Sequence, residues 1–246
     1  MSRQLFDAVA SEYDGTRPDY PAQLFDALES AMGQPLLRAE VCDVGAGTGI
    51  ASRALAGRGA SVTAVDPGEG VLAVLRSRST SRVRAVCGDG NALPLRSALF
   101  DLVSYAQSFH WTDPQRAVAE ALRVLKPGGL LAMWWNRHDR SVDWYARHEE
   151  RLFRACGWDG PYDGEGVAQL LADPPWRRHV ATVEIPWSRR ISLADLGRNI
   201  RTKSYVFALG DGAAAVVDAE LEQRADEHPA GYLDEPFLTY AVMARS

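Results

Sequence analysis

At 246 residues and 26.9 kDa, the chain is about one and a half times an average domain, which favours one enlarged domain over two. Its 46% hydrophobic and 24% charged residues exclude disordered and collagen-like classes, and 27 basic against 32 acidic residues leave a net charge of −5, with no global positive field to hold a nucleic acid. The longest apolar run, around 130–135, is far too short to span a bilayer, and three scattered cysteines without a Cys-x-x-Cys pair suit a reducing compartment, so a cytoplasmic protein with no membrane partner is expected.

Residues 4–32 read as one or two helices interrupted by a turn over 15–21. Beyond them, short apolar runs alternate with longer mixed segments: VCDV (41–44), SVTAVD (61–66), VRAVC (83–87), FDLVSYA (100–106) and GLLAMWW (129–135) read as strands. SRALAGRG (52–59) and PQRAVAEALRVL (114–125) read as helices, the second because Ala117, Ala121, Leu122 and Leu125 fall at helical spacing. Such alternation predicts an open parallel sheet covered on both faces, with ligands beyond the carboxyl ends of its strands. Residues 142–156 look helical, and 157–175, rich in Gly, Pro and Trp, read as a loop or lid. Two further helices are expected over 192–209 and 211–228, capped by Ser192 and Asp211, and the runs 181–187 and 237–244 would complete the sheet.

The strongest signal is Asp43-Val44-Gly45-Ala46-Gly47-Thr48-Gly49, a strand running into a glycine turn that opens a helix. Alternate glycines let a backbone approach a ligand and adopt positive φ, and a helix N-terminus offers N–H groups to an anion. A dinucleotide site wants Gly-x-Gly-x-x-Gly/Ala, and the last position here is Ile50; a Walker loop needs Gly-Lys-Ser/Thr, and the first lysine is Lys126. A glycine turn with no ligand is the plain alternative.

These residues resemble motif I of class I S-adenosylmethionine (SAM)-dependent methyltransferases, and three further segments match that family in order. They are Gly88-Asp89-Gly90-Asn91-Ala92-Leu93-Pro94-Leu95, the strand 100–106, and the turn Leu125-Lys126-Pro127-Gly128-Gly129. Asp66, 23 residues after Asp43, ends the second strand, a spacing that would suit SAM or NAD alike. The segment from Phe6 to Pro21, with Gln107-Ser108-Phe109-His110-Trp111, is similar to a small-molecule branch that includes the trans-aconitate methyltransferases. The resemblance implies an α/β, Rossmann-like fold: a seven-stranded, mostly parallel sheet flanked by helices, with an N-terminal helical lid and inserted cap elements. A single domain 1–246 is expected, with lid helices in 1–37, a SAM-binding core in 38–136, and an acceptor-side elaboration with the final strands in 137–246.

By that likeness the cofactor is SAM. Tyr13 and Arg17 approach its methionine carboxylate, Asp43, Gly45, Ala46, Gly47, Thr48 and Gly49 surround the methionine part, Asp66 with Pro67 holds the ribose, Asp89, Gly90 and Asn91 frame the adenine, and Ala106 and Gln107 lie beside the reacting end. His110 reads either as a general base, since its pKa falls near neutrality, or as pocket wall. The scattered histidines lack ligand spacing, so no metal is expected. Trp111, Trp135, Asn136, Arg201 and Tyr205, with Lys203, are candidates for the acceptor side. The expected reaction is in-line methyl transfer to O or N of a small molecule, a secondary metabolite or small acid, by a monomer or homodimer. The competing readings are a SAM-binding protein that catalyses a cyclisation or rearrangement and a NAD(P)-dependent oxidoreductase, the latter disfavoured by Ile50 and by Gly88-Asp89-Gly90-Asn91.

Overall fold

The computed structural model describes residues 17–158, 166–173 and 179–246. At the centre of its sheet β1 (Glu40–Val44) pairs in parallel with β2 (Ser61–Asp66) on one side and β4 (Phe100–Ala106) on the other. β3 (Val83–Cys87) extends the sheet beyond β2, and β5 (Leu125–His138) beyond β4, both again parallel. Two long strands close the far edge: β7 (Tyr232–Arg245) runs antiparallel to β5, and β6 (Val180–Ser192) antiparallel to β7. The order β3-β2-β1-β4-β5-β7-β6 is the expected seven-stranded, mostly parallel, Rossmann-like α/β sheet. Strand order reverses between β1 and β4, which opens a crevice at their carboxyl ends.

The central strands are buried on both faces, which is why they read as continuous apolar runs rather than alternating ones. On β5, Ala132 and Trp134 face Leu24 and Leu28 of α1 (Ala22–Met32) and Leu55 of α2 (Ile50–Gly57). Met133 and Trp135 point the other way, into a core with Val118, Ala121 and Val124 of α4 (Pro114–Val124). Asp113 caps α4 by accepting the Arg116 amide, with Pro114 at the first helical position. Each fully buried leucine here contributes about 2 kcal/mol relative to exposure.

A third core joins α5 (Asp143–Cys156), α7 (Leu193–Arg201), α8 (Ser204–Phe207) and α9 (Ala213–Glu227) to the outer ends of β6 and β7 through Leu152, Ile191, Leu196, Ile200, Val206, Val217 and Leu233.

Four expectations change. The segment between β2 and β3 forms α3 (Glu69–Arg78), which packs Leu72 and Leu75 beneath Ala64, although no helix was read there. Within the presumed loop 157–175, Val167–Ala172 form a short helix, α6, because Val167 and Leu171 reach the main core. Ser192 does cap α7, accepting the Asp195 amide, but Asp211 lies in a 3-10 turn and α9 starts after Gly212. The single helix expected over 192–209 breaks at Thr202, whose hydroxyl turns back to the Asn199 carbonyl at 2.7 Å, so Lys203 sits in the gap between α7 and α8.

Candidate functional site

The glycine loop lies where β1 and β2 end, and its shape is set by backbone pairing across those strands. The amides of Gly45 and Ala46 both donate to the Val65 carbonyl, at 2.8 and 3.1 Å. Gly45 has φ +69, and a Cβ there would lie 2.4 Å from the Ser108 Cβ, so both conformation and space demand glycine. Ser108 in turn donates to the Val44 carbonyl at 2.5 Å, stapling the turn after β4 to the loop. Gly49, at φ +87, presses its backbone against Leu75 of α3. Gly47 differs: at φ +55 a Cβ would meet nothing within 4 Å, so the backbone borders open space there. Thr48 is buried, and its carbonyl accepts from Arg53 at 2.6 Å.

Three acids follow the strands, in three environments. Asp43 is fully buried and accepts from Ser52 at 2.6 Å and Ser104 at 2.8 Å, tying β1 to α2 and β4. Burial pushes its carboxyl up to about 6, the two hydroxyl hydrogen bonds oppose this, and the Asp66 charge adds to it. Asp66 is half-buried at the loop's rim; one oxygen accepts the Gly47 amide at 2.9 Å and the other the Gly68 amide at 2.8 Å, on either side of exposed Pro67. Asp89 is exposed and holds its own turn by accepting the Asn91 amide at 2.9 Å, while Asn91 accepts the Asp113 amide. Gly90 between them is buried, since a Cβ would lie 2.9 Å from Val44 and 3.3 Å from Thr112.

After β4, Ala106 is half-buried and Gln107 takes φ +58, a left-handed conformation that costs a non-glycine residue about 1 kcal/mol. Gln107 is held there by its amide on the Trp134 carbonyl and its side chain on the Asn136 carbonyl, at 2.9 and 3.1 Å. His110 accepts from the Trp135 indole through Nδ1 at 3.4 Å, and burial pulls its pKa down. A neutral imidazole that accepts at Nδ1 carries its proton on Nε2, so this tautomer offers no lone pair to a substrate proton. Trp135 itself is enclosed in the core, while Trp111 is 65% exposed. Asn136 is a cross-link: it donates to the Asp19 carbonyl at 3.0 Å and accepts from Thr239 at 2.6 Å.

Beyond Asn136 the long strands carry a charged cluster that the sequence did not announce. His138 on β5 is stacked between Tyr145 and Phe237, with ring centroids at 4.2 and 4.7 Å, and its Nε2 bonds Glu235 at 3.2 Å. Arg189 on β6 donates to the other Glu235 oxygen at 2.7 Å, because β6–β7 register sets Arg189 opposite Glu235. Burial drives His138 down to about 3, with the Lys203 charge acting the same way and Glu235 opposing. Burial would raise Glu235, but the His138 hydrogen bond and the positive charge around it hold it down to about 2. Burial raises the Glu149 carboxyl of α5 from its ordinary value; Lys203 and then Arg140, at 3.4 Å, oppose the rise. Lys203 and Tyr205 complete the group, and Arg17 lies close enough to act on both electrostatically.

Of the acceptor candidates, Tyr205 is therefore in this cluster, but Arg201 points away and pairs with Asp218 at the surface at 3.3 Å. Tyr13 lies outside the described residues. The alternation of β5 and β7 was the signal available in advance: Trp134, Asn136 and His138 share a face, as do Glu235, Phe237 and Thr239, and charges at inward positions of otherwise apolar strands mark a site. Among the described residues no helix is long and apolar enough to cross a membrane.

Comparison with known proteins agrees with this architecture. A methyltransferase-domain family model matches residues 42–133, the glycine loop through β5. An uncharacterized methyltransferase of Mycobacterium tuberculosis is 31% identical over 97% of this chain and 94% of its own length, and a methyltransferase-like protein of Schizosaccharomyces pombe is 30% identical over 99% and 94%. A solved structure from Anaeromyxobacter dehalogenans, described as a type II methyltransferase, aligns at a TM-score of 0.67 with 28% identity, covering 93% of this chain and 96% of that one. A [4+2]-cyclase aligns at a TM-score of 0.58 but only 19% identity, over 99% of this chain and 94% of that one, a likeness of fold alone. With relatives at this identity matched over nearly their whole length, the chain belongs to the methyltransferase family and is a SAM-dependent methyltransferase.

Proposed function

We propose that the crevice at the carboxyl ends of β1, β2 and β4 holds SAM and that the protein transfers its methyl group to an oxygen or nitrogen of a small molecule. The observation that carries the reading is the hydrogen bond from the Gly47 amide to Asp66. It couples the open part of the glycine loop to the acid placed for a ribose, so one residue shapes the loop and presents a carboxylate at its rim. The fit to a nucleoside is supported by the open space over Gly47 and by Gly90, whose backbone is pressed down where an adenine would pass.

In this reading Gly45, Ala46, Gly47, Thr48 and Gly49 surround the methionine portion, Asp66 and Pro67 the ribose, and Asp89, Gly90 and Asn91 the adenine. Asp43 orients the loop through Ser52 and Ser104. Arg17, with Tyr13, suits the methionine carboxylate, since a guanidinium grips a carboxylate through two hydrogen bonds. Bound SAM supplies a sulfonium methyl for in-line displacement. The chain's own part is to position and dehydrate: Ala106 and strained Gln107 sit where β4 ends, His110 and Trp135 brace the wall, and Asn136 ties the entry segment at Asp19 to β5 and β7. The finer assignment is a small-molecule enzyme of the trans-aconitate-like branch, acting in the cytoplasm as a monomer or homodimer, with residues 38–136 as the cofactor core and 137–246 building the acceptor side.

The test is calorimetric titration with S-adenosylhomocysteine, the demethylated product. Asp66→Ala should weaken binding about 30-fold or more, by loss of a charged hydrogen-bond acceptor and of the Gly47 anchor. Wild-type affinity in that variant would overturn the cofactor map.

A further inference from the structure

Resting on the cofactor reading above, we infer that the cluster on the long strands is an acceptor-binding site for a carboxylate-bearing small molecule, anchored by Lys203 together with Arg189 and Tyr205. The cluster contains donors without partners. Buried polar groups are almost always hydrogen-bonded, so a group without a partner marks a place for a water or a ligand. Two such groups occur here: among the described residues, Arg189 Nη2 and the Tyr205 hydroxyl are buried with no partner. Lys203 adds an ammonium that engages no described residue by hydrogen bond or ion pair; it lies over the Tyr205 ring, 6.0 Å from Nζ to centroid. All three can donate, although the Tyr205 ring also packs against Phe153 and Trp158 and the Arg189 guanidinium lies over Phe237.

Arg189 is matched by Glu235 at 2.7 Å, and Arg140 by Glu149 at 3.4 Å. Lys203 adds a further positive charge, on which Glu235 and Glu149 act most strongly, with Arg17 and Arg189 opposing them, so the cations around it outnumber the two acids. An excess of positive charge in a half-buried cluster asks for a counter-charge. With Glu149 and Glu235 close by, a singly charged carboxylate suits the site better than a doubly charged phosphate, which the two acids would repel. Lys203, in the gap between α7 and α8, acts electrostatically on His138 at the end of β5, and His138 is two residues beyond Asn136, whose carbonyl holds Gln107. An acceptor anchored by its carboxylate at Lys203 therefore extends back toward Gln107, leaving a second group of the molecule for methylation.

The experiment loads the enzyme with S-adenosylhomocysteine and titrates short carboxylic acids (propionate, succinate, benzoate), their primary amides, and inorganic phosphate. The expected result is that at least one acid binds about tenfold or more tightly than its amide and than phosphate. Lys203→Met should lose that preference and Lys203→Arg retain most of it, with S-adenosylhomocysteine affinity equal in all three proteins. The proposal is overturned if amides bind as well as acids, if phosphate binds best, if no acid binds the loaded enzyme, or if Lys203→Met keeps the preference. Wild-type protein that binds no S-adenosylhomocysteine would instead count against the cofactor reading.

Discussion

Around the glycine loop the polar groups are mainly backbone amides and carbonyls of neighbouring segments, and the side chains that join them, Asp43, Asp66 and Ser108, bond to groups of the loop, of α2 and of adjacent strands. Across the long strands the polar groups are ionisable side chains from five separated segments, namely His138, Glu149, Arg189, Lys203 and Glu235. The first arrangement is rigid and uniform, as a site for one fixed cofactor requires. The second depends on strand register and helix breaks, so it can be rebuilt by substitution without disturbing the first. On the proposed assignment of cofactor to the loop and acceptor to the cluster, the difference would let one fold keep its cofactor while its acceptor changes.

The largest expected effect is at the loop. Gly45→Val sets a side chain against Ser108 in a left-handed conformation, and should cost about 2–4 kcal/mol of stability together with most S-adenosylhomocysteine binding, read by urea unfolding and calorimetry. Unchanged values would mean that the loop is looser than its geometry.

Acid stability separates the halves by sign. His138 titrates at about 3 when folded and near 6.5 when unfolded. The unfolded chain then binds the proton more tightly, so stability falls as pH drops from about 6.5 toward 3, on the order of 1.4 kcal/mol per pH unit. Glu235, held down to about 2, adds to that loss below about pH 4.5. Asp43, raised to about 6, acts in the opposite sense: the folded chain binds its proton more tightly, so stability falls as pH rises from about 4 to 6. His138→Phe should flatten the loss between pH 7 and 4, and Asp43→Asn should steepen it, in urea midpoints taken at each pH. Identical slopes in both variants would erase the contrast.

Smaller effects sharpen it. Gln107→Gly relieves the left-handed strain and should raise stability by about 0.5–1 kcal/mol while lowering methyl transfer, because the side-chain bond to the Asn136 carbonyl is lost. Arg201→Ala should change stability by no more than about 0.5 kcal/mol, since its pair with Asp218 is exposed, and should leave acceptor binding as it was. A large loss of acceptor affinity there would return Arg201 to the site.

The loop, Asp66 and the Gly88-Asp89-Gly90-Asn91 turn were legible because each is a contiguous segment whose residue types are dictated by local backbone geometry. The central strands were legible because burial on both faces leaves unbroken apolar runs. The ends of β5, β6 and β7 were not: each was read as a shorter run that stops where charged residues begin, yet pairing carries them on through Asp234, Glu235, Arg189 and Arg190. Nothing local tells that Arg189 will face Glu235, since that depends on the register of two strands more than forty residues apart. The same limit applies to Trp135, whose place in the core follows from sheet alternation, and to Lys203, whose exposure to the cluster follows from one threonine turning back on α7.

The central claim is that the crevice around Asp66 is the cofactor site, and a crystal structure with S-adenosylhomocysteine tests it most directly. The account predicts the ribose hydroxyls on Asp66, the adenine beside Asp89, Gly90 and Asn91, and the sulfur end facing Gln107. A nucleoside bound away from Asp66, or with its adenine over the long strands, would contradict it.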